Sequence, residues 1–269
     1  MTIPISVFFV TKNEEEHIGK ALSSVACMDE IIVVDSGSTD KTVEIAERFG
    51  AKVYSHAWMG YAKQKQYALS LCSNDWVLNL DGDEVINERL IKSLQAIIDQ
   101  NTADSVRFWR NDIFIGKPLS AWSKKPNNHR FFKRDKAHFD ESKMVHESAT
   151  VKGIETFINE TFDHYGYGSI EAITSKNNKY SSLKADEKLN RDKQFSYIKL
   201  ITIFPLIFLK EYFIQRKMFS GMRGFILAIM DAYYSFIKEA KLYEHHQHQA
   251  QSQSNAEPNT AQKSAKQPK

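Results

Sequence analysis

Asp81, Gly82, Asp83 and Glu84 place three carboxylates within four consecutive residues. At the mouth of a sheet Asp81 and Asp83 repel each other unless a cation sits between them. Mg2+ and Mn2+ prefer such hard oxygen ligands and often share them with a diphosphate. The glycine permits a tight turn and leaves room for a ligand, with Glu84 in support. The same residues also suit an acidic turn capping a helix that begins near Asn87, and a bare D-x-D does not separate the two. Asp35 ends the apolar run IIVVD and is followed by Ser36, Gly37, Ser38, Thr39 and Asp40. A carboxylate there can accept hydrogen bonds from a base or ribose, and the backbone N–H groups of the loop favour an anion nearby. Asp40 reads as lying at or beside the cap of the following helix. Thr11, Lys12, Asn13 and Glu14 form a polar cluster after the first apolar run, suited equally to ligand contact and to helix capping.

The elements that must position these residues alternate regularly. Ile5–Val10, Glu30–Asp35, Lys52–His56 and Trp76–Asp81 read as strands. Helical stretches follow at about Glu15–Val25, Lys41–Phe49 and Tyr61–Leu71. Continuous apolar strands alternating with helices predict parallel strands covered on both faces, an α/β fold with a mostly parallel central sheet. Ligands of such sheets bind outside the carboxyl ends of the strands, and those ends carry Thr11, Asp35 and Asp81.

The order strand–TKNEE, EIIVVDSGSTDKT, a helix bearing a basic residue, then WVLNLDGDE resembles the nucleotide-sugar-binding half of glycosyltransferase family 2, which has the GT-A fold. The resemblance covers about the first hundred residues. It implies that Thr11, Asn13, Glu14, Asp35 and Asp81 hold the nucleotide sugar, and that Asp81 and Asp83 bind Mg2+ or Mn2+. It also implies that Lys65 lies near the base or phosphates, where the family commonly has Arg. Lys for Arg loses the planar fork. Further on, NNHRFFKR and KRDKAHFDESKMVHESATVKG resemble the lipopolysaccharide core β-1,4-glucosyltransferase branch. Phe139-Asp140-Glu141 matches an F-D-E turn of the family, and His146-Glu147 falls where an E-D pair commonly provides the base.

By this resemblance the chain is an inverting transferase moving a hexose, glucose from UDP-glucose, to a heptose or other sugar of the lipopolysaccharide inner core. The metal neutralises the diphosphate and a carboxylate takes the proton of the acceptor hydroxyl. Glu147 is the first choice of base, with Asp140 and Glu141 in reserve. The rivals are a transferase for another envelope glycan, a nucleotidyltransferase and a non-catalytic nucleotide-sugar binder on a membrane surface. Joint retention of Asp35, Asp81, Asp83 and Glu147 favours catalysis, and the acidic TKNEEEH is unlike a basic phosphate loop.

The 269 residues carry 36 basic and 33 acidic side chains, a net charge of +3, and 42% hydrophobic residues. These are globular values that exclude a wholly disordered chain, and two cysteines exclude a disulfide framework. The N-terminus has no basic leader or cleavage site and does not read as a signal peptide. A basic, aromatic stretch from Lys117 to Lys143 suits an anionic saccharide, with Trp122, Phe131 and Phe132 available to stack on sugars; nucleic acid is not expected as a partner.

Residues 1–192 are expected to form the transferase domain, with a donor half to 111 and an acceptor half from 112. The segment 193–244 is apolar, aromatic and interleaved with basic residues, and is expected to form an α-helical extension. It is too interrupted to span a bilayer. It suits helices lying on anionic lipid, or helices packed on the domain. The reading places the protein peripherally at the cytoplasmic face of the bacterial inner membrane. Residues 245–269 lack large apolar side chains and read as a disordered tail.

Overall fold

The computed structural model describes residues 2–140, 148–191 and 193–256. The chain divides into two compact units, Met1–Pro118 with Lys125–Gly168, and Leu119–Lys124 with Ser169–Lys269.

The first unit opens with the expected rhythm: β1 (Ile3–Thr11), α1 (Ile18–Ser24), β2 (Met28–Asp35), α2 (Thr42–Arg48), β3 (Lys52–Ser55), α3 (Tyr61–Leu71) and β4 (Trp76–Asp81). After it come β5 (Glu84–Val85), α4 (Glu88–Gln100), β6 (Ser105–Phe114), β7 (Lys117–Pro118), β8 (Asn127–Lys133), β9 (Ala137–His138), β10 (Thr150–Val151) and β11 (Glu155–Tyr167). The main sheet has the order β3-β2-β1-β4-β8-β6-β11-β5, with β7 beside β6. β9 and β10 pair separately. Strands β3, β2, β1 and β4 are parallel throughout, as their continuous apolar sequences predict. The remainder is mixed. β8 runs antiparallel to both β4 and β6, β5 runs antiparallel to β11, and β11 is parallel to β6. The uninterrupted run of parallel strands therefore belongs to the donor half and ends at β8, which is antiparallel to both of its neighbours.

The two sheet faces are built by strand periodicity. Ile5, Val7 and Phe9 of β1 join a core with Ile18 and Leu22 of α1 and Leu90 and Leu94 of α4. Phe8 points the other way, into a cluster with Ala62, Ala68 and Leu69 of α3. Asn87 caps α4 by accepting from the Leu90 amide at 3.0 Å, as expected of an N-cap side chain. The chain leaves β1 for β2 on one side and returns as β4 on the other. The resulting switch point lies at the carboxyl ends of β1 and β4, where Val10 and Asp81 are register partners.

The boundaries differ from those expected at residues 111 and 192. β6 runs across residue 111, and the sheet-bearing unit ends at Gly168 because β11 is the last strand tied to it. The second unit contains α5 (Ile170–Leu189), α6 (Tyr197–Leu209), a π-helical turn (Lys210–Ile214), a short 3-10 turn (Lys217–Ser220) and α7 (Gly221–Ala256). The helix α7 continues through the polar residues 245–256, past the expected start of the tail, and α5 is bound to it by Lys241 Nζ on the Asn178 carbonyl (2.7 Å). Among the described residues no helix is long and apolar enough to cross a membrane.

Candidate active site

The loops after β1 and β2 are bonded to each other. Asn13 adopts a left-handed conformation (φ 57°), and its Oδ1 accepts from the Thr39 amide at 2.8 Å. The Asn13 amide donates to Ser38 Oγ at 2.9 Å, and the Glu14 amide to Thr42 Oγ1 at 2.8 Å. Asp35 is buried and turns its carboxylate on its own loop: Oδ2 accepts from the Gly37 and Ser38 amides, each at 2.9 Å, and Oδ1 from Ser38 Oγ at 2.5 Å. Asn13, Glu14 and Asp35 thus shape the rim of the switch-point crevice. Thr11 is also buried there, and its hydroxyl has no hydrogen-bond partner among the described residues. Asp40 lies beside the cap, one residue before the N-cap Lys41. Burial disfavours its charge, but the Thr42 hydroxyl (2.5 Å) and amide (3.0 Å) donate to it and hold its carboxyl below the usual range.

Asp81 and Asp83 have different surroundings. Oδ1 of Asp81 meets Lys65 Nζ at 3.1 Å, and Oδ2 accepts from Arg130 at 2.7 Å. Burial disfavours the charge on Asp81, yet Arg130 and Lys65 outweigh it and hold the carboxyl far below the usual range. Two protein cations thus stand against Asp81. Both of its oxygens are engaged by side chains in this structure. Lys65 meets a carboxylate of the site. Arg130 also donates to the fully buried Glu84 at 2.5 Å, and Glu84 accepts from the Asp81 amide at 3.0 Å. Burial pushes the Glu84 carboxyl upward, reinforced by Asp81 and countered by Arg130. Gly82 permits close packing, since a Cβ there would lie 3.1 Å from Glu14 Cγ.

Asp83 faces a histidine that sequence reasoning passed over. His164 Nε2 lies 3.5 Å from Asp83 Oδ2, and its Nδ1 lies 3.0 Å from Asp112 Oδ1. The sheet makes this meeting. β11 lies between β5 and β6, with His164 opposite Glu84 on one side and Asp112 on the other. Arg110 braces Asp112 at 2.8 Å. Burial disfavours the Asp112 charge, but His164 and Arg110 hold its carboxyl below the usual range. A Cβ on Gly166 would fall 2.6 Å from both Asp83 Oδ2 and His164 Nε2, so the glycine keeps that space open. The sequence signal was His164 two residues before a glycine, at the end of a long strand.

Asp83 and His164 together fit a divalent cation: one hard oxygen, one imidazole nitrogen, a carboxylate orienting the ring from behind, and room beside them. Among the described residues no group of three or more such side chains converges, so further ligands would come from diphosphate and water. Asp140 lies just before residues 141–147, and the base candidates Glu141 and Glu147, with His146, lie outside the described residues. Part of the basic stretch is engaged internally. Lys133 and Lys136 both bind Asp104 (3.0 and 2.7 Å), and Arg134 donates to the Cys72 carbonyl at 2.7 Å. Phe131 and Phe132 are wholly buried, so neither is available to stack on a sugar.

The sequence pattern of Glycosyl transferase family 2 matches residues 6–162. A glycosyltransferase of Rickettsia typhi is 36% identical over 89% of this chain and 87% of its own. The lipopolysaccharide core biosynthesis glycosyltransferase LpsC of Rhizobium meliloti is 34% identical over 91% of this chain and 93% of its own. Among solved structures, Mycobacterium tuberculosis glucosyl-3-phosphoglycerate synthase, crystallised with Mn2+, UDP-glucose and phosphoglyceric acid, is 28% identical over 39% of this chain and 43% of its own, with a TM-score of 0.35. Staphylococcus aureus TarS covers 90% of this chain and 54% of its own at 19% identity, with a TM-score of 0.49. The chain belongs to glycosyltransferase family 2 and has its GT-A α/β fold.

Proposed function

We propose that the protein transfers a hexose, with inversion, from a nucleotide sugar to a saccharide of the lipopolysaccharide inner core, at the cytoplasmic face of the bacterial inner membrane. The observation that carries this reading is the 34% identity with LpsC over nearly the full length of both chains. UDP-glucose as donor and a heptose as acceptor follow from the resemblance of the 127–153 segment to the β-1,4-glucosyltransferase branch.

The loops bearing Thr11, Asn13, Glu14 and Asp35 receive the nucleoside at the switch point. Lys65 and Arg130 fix Asp81 and leave its carboxylate ionised at the crevice mouth. Asp83 and His164 would hold Mg2+ or Mn2+, which when bound supplies positive charge to the departing diphosphate. Asp112 holds the imidazole with Nε2 toward Asp83. The acceptor hydroxyl attacks the anomeric carbon from the face opposite the diphosphate, and its proton passes to Glu147. Asp140 and Glu141 are the alternative bases. One displacement inverts the anomeric centre without a covalent sugar–enzyme intermediate.

The test is a screen of UDP-, GDP- and dTDP-hexoses against truncated lipopolysaccharide acceptors, with the linkage of the product read by NMR. A β-linked hexose on an inner-core sugar is the expected product. An α-linked product, or transfer only to another glycan, would overturn the reading.

A further inference from the structure

The second unit displays an apolar surface distant in sequence from the candidate site residues. Helix α6, sequence YIKLITIFPLIFL, contains one charged residue, yet none of its residues is buried. Leu200, Ile203 and Ile207 are partly covered. On the opposite side Ile198 (76% exposed), Ile201 (74%), Pro205 and Leu209 (49%) recur at i, i+3, i+7 and i+11, a single stripe along the helix. At about 1.5 Å per residue, the 13 residues extend about 20 Å, too short for a bilayer core of about 30 Å.

The chain beyond α6 continues in the same character. Phe213 and Ile214 are exposed in the π-helical turn, and Phe219 and Met222 in the two segments that follow. Trp122, 69% exposed, stands beside Phe219 with ring centroids 6.3 Å apart. Its loop is firmly held: Ser123 Oγ donates to the Arg216 carbonyl at 3.1 Å, and the Lys124 amide to the Gln215 carbonyl at 3.0 Å. An anchored, solvent-facing indole is typical of residues seated at a membrane–water interface.

Charge decides what covers this surface. Between residues 193 and 225 there are six basic side chains against the single carboxylate Glu211. Lys217 is spent on Glu211 and Asp231. Lys193, Lys210, Arg216 and Lys124 are exposed, and Lys199 remains half-exposed while touching Glu239 at 3.1 Å. A second copy of the chain would bring a like-charged rim against this one. An anionic lipid surface offers both the apolar boundary and the opposite charge.

We propose that the outer stripe of α6, with Trp122, Phe219 and the basic residues around them, is a docking surface for an anionic phospholipid bilayer, seating the enzyme in the membrane interface without crossing it. The assignment holds whichever sugar is transferred.

The experiment is co-sedimentation of the full-length protein with phosphatidylcholine vesicles containing, or lacking, about 30% phosphatidylglycerol. Binding is expected on the anionic vesicles and at least about tenfold weaker on the neutral ones. Replacing Lys124, Lys210 and Arg216 together by Gln should weaken anionic binding by about a hundredfold, from roughly fivefold per basic residue. Ile201→Glu with Leu209→Glu changes exposed positions only, so the melting temperature should hold while binding falls at least about tenfold. Trp122 fluorescence, read as wild type minus Trp122→Phe, should shift to the blue on anionic vesicles. The proposal is overturned if the wild type stays in the supernatant with anionic vesicles, or if the Glu pair binds as the wild type does. It is equally overturned if the Glu pair abolishes a dimer seen by analytical ultracentrifugation and no vesicle binding occurs, which would make the stripe an interface between copies.

Discussion

Gly166→Ala tests the pairing of Asp83 with His164 by a single methyl group. An alanine Cβ would lie 2.6 Å from Asp83 Oδ2, 2.6 Å from His164 Nε2 and 2.7 Å from His164 Cε1, where ordinary contact begins at 3.4 Å. Each group must therefore retreat by about 0.8 Å. Neither is free to do so cheaply. His164 is held by Asp112 at 3.0 Å, and the Asp83 backbone accepts from the Tyr165 amide at 2.8 Å. Gly166 does not adopt a positive φ, so the substitution adds no left-handed strain. A misplacement near 1 Å reduces a catalytic rate by about a hundredfold. The expected result is a transfer rate about a hundredfold lower at a fixed, low Mn2+ concentration, with the half-saturating Mn2+ concentration raised about 10- to 100-fold. The assay is radiolabelled hexose transfer titrated with Mn2+ after EDTA treatment, beside a thermal melt. Gly168→Ala is the control, because its nearest neighbour would be the Tyr165 carbonyl oxygen at 4.0 Å. A Gly166→Ala enzyme with wild-type rate and wild-type Mn2+ dependence would refute the assignment.

Four further outcomes are expected. Glu147→Gln should lower kcat by about two to four orders of magnitude with little change in donor affinity; full activity there, with loss in Asp140→Asn or Glu141→Gln, would move the base. Arg130→Gln leaves Glu84 buried without its cation and Asp81 without one of two, and should destabilise the fold by about 3–5 kcal/mol in urea unfolding; a shift under about 1 kcal/mol would count against that network. Glu30 is held down to about 2 against burial by Lys52, Ser6 and Ser73. Because its folded value lies below the unfolded one, its contribution is full above about pH 4.5 and disappears as the pH falls toward 2. Glu30→Gln should therefore remove about 2 kcal/mol at pH 7 and flatten the acid limb of the stability profile, the amount discounted because Lys52 is 62% exposed. Burial pushes the Cys72 thiol up to about 12. A thiol reagent at pH 8 should label the exposed Cys27 alone in the native protein and both cysteines in urea.

Much of the donor half was legible in the sequence, because its signals are local. The runs ISVFFV, IIVVD and WVLNLD are apolar throughout, as strands covered on both faces must be, and their terminal Thr11, Asp35 and Asp81 locate the crevice before any packing is known. The motif order likewise disclosed the family that the comparisons establish. What the carboxylates touch was not legible, since each partner arrives from a distant strand. Arg130 is 49 residues from Asp81, on β8. His164 reaches Asp83 only because β11 inserts between β5 and β6 with one particular register, and a slip of one residue would turn the imidazole to the other face. The exposure of Trp122 had a similar origin: local sequence grouped it with basic residues of a saccharide-binding stretch, while hydrogen bonds to residues near 216–220 carry its loop to the helical unit. Sequence determined which residues could be acids, strands and helices; tertiary pairing decided which charges meet, because hydrogen-bond register brings side chains together across separations that local pattern does not encode.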